Sequence, residues 1–115
     1  MIARRVVLAL PLAACVGDVP LIEVADVRFD APEVDLAIRA SQVRRAAAGL
    51  GWAAEEAAPG RVRATSDGEG GRAEVEVAFD RRAFSIRHGA GARGTPAYNV
   101  RVARLRDAIV AQSGA

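Results

Sequence analysis

From Arg72 to Phe79 the chain alternates strictly: Ala73, Val75, Val77 and Phe79 fall on one side, Arg72, Glu74 and Glu76 on the other. A period of two with one apolar side predicts a strand with one covered and one wet face. Asp80-Arg81-Arg82 turns it back into Ala83–His88, where Phe84 and Ile86 face inward. Upstream, Asp67-Gly68-Glu69-Gly70-Gly71 is the clearest turn in the chain, and Pro59-Gly60 marks another, leading into Arg61–Thr65. Together these pieces predict an antiparallel meander of three to four strands.

Two segments carry a helical period instead. Thr95-Pro96 places a capping hydroxyl before a proline at the first helical position, and Tyr98, Val102, Leu105 and Ile109 then form one apolar stripe. The second helix is expected from Ser41, with Gln42–Leu50 ending at Gly51, the residue type that most easily takes a left-handed exit. Trp52 follows as a core anchor. Residues 34–40 admit two descriptions. Val34, Leu36, Ile38 and Ala40 alternate as a strand, whereas Leu36, Ala40, Val43, Ala47 and Leu50 share one helical face. The strand is preferred for this stretch. The expected fold is therefore a single α+β domain over residues 34–112, an antiparallel meander with two helices packed on one face.

The first fifteen residues follow another logic. Arg4-Arg5 precedes an apolar run, Val6-Val7-Leu8-Ala9-Leu10-Pro11-Leu12, and the small pair Ala13-Ala14 leads to Cys15, the one cysteine of the chain. That run is well below the ~20 apolar residues a permanent transmembrane helix requires. Basic stub, apolar run and small-residue site are the pattern of an export signal. Leu12-Ala13-Ala14-Cys15 resembles the lipobox of bacterial lipoproteins. The resemblance implies removal of residues 1–14, acylation of Cys15, and residues 15–33 as a tether. Ile22, Val24, Val27 and Phe29 within that tether let part of it lie along the domain as an irregular strand. With Val16 after the cysteine, it further implies an outer-membrane location facing the periplasm.

Cleavage there changes the charge balance. The chain has 16 basic residues, all Arg, against 14 acids. Arg4 and Arg5 leave with the signal, so the mature domain is balanced, which disfavours a cationic nucleic-acid binder. The remaining charges are uneven. Between Arg81 and Arg106 there are seven Arg and no acid. Arg81, Arg82, Arg87, Arg101 and Arg104 are the candidates for contact with a partner protein or with anionic lipid or lipopolysaccharide head groups.

Beyond the signal, the order of motifs resembles a group of small, uncharacterised proteobacterial envelope lipoproteins. The resemblance is carried by Gly51-Trp52, Pro59-Gly60, Ala73–Phe79, Phe84-Ser85-Ile86 and the Tyr98-Asn99 pair at the head of the last helix. It covers about residues 41–110. Where such proteins carry histidines this chain has Gly71 and a Gly-rich loop, and Arg101 stands where they have Trp. No histidine-dependent role is carried over, and the group implies no established activity.

Catalytic chemistry has few candidates. His88 is the only imidazole, and no serine lies in a Gly-x-Ser-x-Gly elbow. Ser85 and His88 sit three apart on one strand and so face opposite ways. Glu74 and Glu76 share a sheet face with Arg72, as surface ion pairs do. One Cys and one His cannot make a zinc cluster, and the Asp67–Gly71 turn lacks the spacing of a calcium loop. Gly89, Gly91 and Gly94 are not spaced as a nucleotide loop. The expectation is a lipid-anchored, non-catalytic envelope module without cofactor or metal. A lipid-contacting basic surface is the alternative, and a hydrolase built on His88 a distant second alternative.

Overall fold

The computed structural model describes residues 18–30, 32–68 and 71–115. Cys15 and the expected signal lie outside the described residues. Seven elements follow one another: β1 (Val24–Arg28), α1 (Leu36–Gly49), β2 (Ala53–Ala58), β3 (Arg61–Gly68), β4 (Gly71–Phe79), β5 (Ala83–His88) and α2 (Pro96–Ser113). The strands form one antiparallel sheet in the order β1-β5-β4-β3-β2. The fold is α+β as expected, with five strands rather than three to four.

β2 to β5 are the meander. The Pro59-Gly60 turn works because Gly60 adopts φ +79°, and a Cβ there would lie 2.8 Å from the Phe79 carbonyl oxygen. The alternation reads out as written in the sequence. Val62, Ala64, Ala73, Val75, Val77, Phe79, Phe84 and Ile86 are buried and carry the core, with Trp52 and the α2 stripe Tyr98, Val102, Leu105 and Ile109. The opposite face is a charge ladder: Glu55 lies opposite Arg63, Arg63 opposite Glu76, and Glu76 opposite Arg87. Opposite charges in register favour this pairing, and solvent keeps each contribution small.

Two expectations are corrected. Residues 36–40 are the first turns of α1 and not a strand. The reason is topological. β1 and β2 are consecutive in the chain yet sit at opposite edges of the sheet, four inter-strand gaps or about 19 Å apart. β1 also leaves the sheet beside Ala83, whereas β2 begins at the other end, with Ala53 level with Thr65 and Glu74. A 14-residue helix of about 21 Å that starts at Leu36, beside Gly60, carries the chain back along the strands to Ala53. Ala40, Val43, Ala46 and Ala47 are buried against the sheet, while Ile38 is left 47% exposed.

The second correction concerns the domain boundary: the irregular strand expected within the tether is β1, so residues 24–29 belong to the domain. β1 pairs with β5, Val24 opposite Ile86 and Val27 opposite Phe84, so Ala25 and Asp26 on β1 oppose Ser85 alone on β5. This bulge is taken up by Asp26 at φ +51°, whose amide donates to Ser85 Oγ at 3.0 Å. Val24 and Phe29 are buried, Phe29 against Phe84 with ring centroids 5.2 Å apart.

Candidate functional site

The most developed polar site lies at one end of the sheet, where β5 ends and α2 begins. A cleft of about 550 Å³ opens there, lined among others by Arg72, Glu74, Gly91, Arg93, Thr95 and Tyr98. Thr95 Oγ1 accepts from the Tyr98 amide at 3.1 Å, the cap read from the sequence. Asp18 also lines it, at the start of a strap, residues 18–22, laid along the loop and the first turn of α2.

The strap is held mostly by backbone groups. Val19 N donates to Gly94 O at 2.7 Å. The Asn99 side chain imitates a neighbouring strand: its Oδ1 accepts from Ile22 N at 3.0 Å and its Nδ2 donates to Pro20 O at 2.9 Å. Arg93 pairs with Asp18 at 3.0 Å. Gly94 is required by contact, because a Cβ there would overlap the Val19 carbonyl.

His88 completes the fastening. Its Nε2 lies 2.7 Å from Ile22 O and its Nδ1 2.5 Å from the Tyr98 hydroxyl. A carbonyl only accepts, so Nε2 carries the hydrogen, and in the neutral ring Nδ1 accepts from the Tyr98 hydroxyl. Burial raises the Tyr98 pKa, with Arg101 opposing, so the phenol keeps the proton it donates. Both ring nitrogens are thus engaged in structure. Ser85 faces away on the other side of the sheet, as the sequence spacing implied, and Ser113 bonds Asp30 N and Val110 O near the far end of α2. No nucleophile is brought to His88 among the contacts of the described residues.

The arginines of the basic segment are dispersed. Arg81 and Arg82 sit in the β4–β5 turn and meet Glu33, Arg82 by a close ion pair and Arg81 at 3.9 Å. Arg87 is on the open sheet face beside Glu76 at 3.9 Å. Arg101 lies over Trp52, 5.6 Å from the ring centroid, and donates to Gly71 O and Ser66 O at 2.9 and 3.0 Å. Arg104 is exposed on α2. One run in sequence becomes several separate places in space. Glu74 and Glu76 do share the open face, but Arg72 turns to Asp67, 3.6 Å away.

No family model, curated protein or solved structure matches this chain. The site therefore rests on its own geometry. Among the described residues no three His, Cys, Asp or Glu side chains cluster as a metal site, and no helix is long and apolar enough to cross a membrane.

The sequence passed over two residues. Asn99 stands out in the sequence only as half of the Tyr98-Asn99 pair, a polar amide beside an apolar-stripe Tyr at a helix start. Arg39 carries no such signal. It is fully buried, lies 4.1 Å over the Phe29 ring, and donates to Arg81 O, Pro32 O and Gln42 Oε1 at 3.0, 3.0 and 2.9 Å. Burial lowers its pKa, with Glu33 opposing.

Proposed function

We propose that this chain is a lipid-anchored, non-catalytic module of the bacterial cell envelope, attached through acyl chains on Cys15. The observation that carries this is the sequence Leu12-Ala13-Ala14-Cys15 closing an Arg-led apolar run, with no other cysteine in the chain. Two or more acyl chains on one residue give stable attachment, where a single chain is marginal. The engaged state of His88 supports a non-catalytic role, since its ring nitrogens hold Ile22 and Tyr98 in place. A continuous basic surface over Arg81–Arg106 has less support, because Arg81 and Arg82 share Glu33 at one end of the sheet while Arg87 faces Glu76 on its open face.

Expression of the full chain in a bacterial host tests this directly. Intact mass and membrane partition of wild type and Cys15→Ala would be compared. Loss of residues 1–14 with added acyl mass, and an unacylated variant that leaves the membrane fraction, is the expected result. A wild type at its unprocessed mass in the soluble fraction would overturn the anchor.

A further inference from the structure

We infer that, once Cys15 is acylated, the domain does not swing on a tether but stands with one end against the bilayer. That end is the Gly89–Gly94 loop, the strap and the mouth of the cleft. The inference rests on the anchored reading above and adds the surface that faces the lipid. The expected tether spans residues 15–33, which at ~3.6 Å per residue could reach about 65 Å. The strap shortens it. From Asp18 onward the chain is fixed to the domain by Gly94, Asn99, His88 and Arg93. Three residue steps separate Asp18 from Cys15 and span at most about 11 Å.

The direction follows from strand pairing. β1 begins opposite Ile86, near the end of β5, and finishes opposite Ala83 at its start. The chain therefore enters the domain at the end of the sheet where the Gly89–Gly94 loop lies. The Asp80–Arg82 turn is at the other end, about 17 Å further along β5. An anchor that short holds the first end in the head-group layer and the second end away from it. The occupant of this surface is the bilayer that holds the acyl chains. Because the restraint is covalent, it operates on zwitterionic as well as anionic lipid.

The test uses acylated full-length protein in vesicles. Acylation consumes the only native thiol, so Ala90→Cys and Arg81→Cys each provide one labelling site, at the two ends of β5. A fluorophore at either site is quenched by lipid carrying a head-group nitroxide. Quenching several-fold greater at residue 90 than at residue 81, in phosphatidylcholine and in phosphatidylglycerol mixtures, is the expected result. Insertion of about twelve Gly/Ser residues between Gly17 and Asp18 leaves the fold untouched and should erase the difference. Equal quenching at both sites in acylated protein overturns the orientation alone. A difference seen only with anionic lipid, or one that survives the insertion, replaces the leash with charge or surface attraction. Protein whose mass shows no acyl group fails the anchored reading and the orientation with it.

Discussion

The segment before α1 is fastened to the domain at two places, and the two are built from different chemistry. At its far end, Phe29 enters the core, Phe29 N donates to Arg82 O, and the buried Arg39 guanidinium draws Pro32 and the β4–β5 turn onto α1. At its near end, the strap lies on the surface and is held by the Asn99 amide, the His88 ring, one backbone bond to Gly94 and the exposed Arg93–Asp18 ion pair. A buried cation with three carbonyl partners is costly to disturb, since removing it empties the space over Phe29 and breaks three bonds at once. A half-exposed amide can be lost and water will take its place. The far fastening thus serves stability. The near one serves position, setting where the chain leaves the domain.

Arg39→Ala should show the largest effect. It leaves a cavity beside Phe29 and breaks the bonds to the Pro32 and Arg81 carbonyls, and should cost about 3 kcal/mol in chemical denaturation. A loss under about 1 kcal/mol would mean the far end is not held this way. Asn99→Ala comes next. Losing two hydrogen bonds to Pro20 and Ile22 should cost about 1–2 kcal/mol, with faster amide exchange at Ile22 while Phe29 stays protected. Uniform acceleration at both amides would show that the two fastenings open as one.

The smallest effect separates them by pH. Glu33 is held below the usual carboxylate range by its hydrogen bond from Arg82, and Asp80 by backbone bonds from Arg82 and Ala83. Both serve the far end, and their stabilisation is full at neutral pH and drains as pH falls through about 4 and below. Tyr98 at the near end has a raised pKa, so its share is full below about pH 10 and lost as pH climbs past that value. Amide exchange should therefore loosen Phe29 first in acid and Ile22 first in alkali. The reverse order would break the assignment.

The meander was legible because its information is local. Alternation over Ala73–Phe79 and Ala83–His88, the Pro59-Gly60 turn and the Thr95-Pro96 helix start each depend on residues a few positions apart. The start of α1 was not legible, because Val34–Ala40 satisfies both periods. What decided it was that β1 leaves the sheet at one end and β2 begins at the other, which strand pairings distant in sequence fix. The candidate site was hidden for the same reason. Ile22 meets Asn99 across a sequence separation of 77 residues, and Arg39 meets Arg81 across 42.

The chain by its own pattern determined the sheet faces, the turns, the α2 stripe and the lipobox-like Cys15 motif, all short-range features of spacing and residue type. Only the tertiary structure decided which strand the tether pairs with and that the residues before it form a strap, that Arg39 belongs inside, and that the arginine run is scattered. Those outcomes depend on which surfaces remain to be covered and which carbonyls remain to be satisfied once the meander has formed. Only the assembled sheet poses that question.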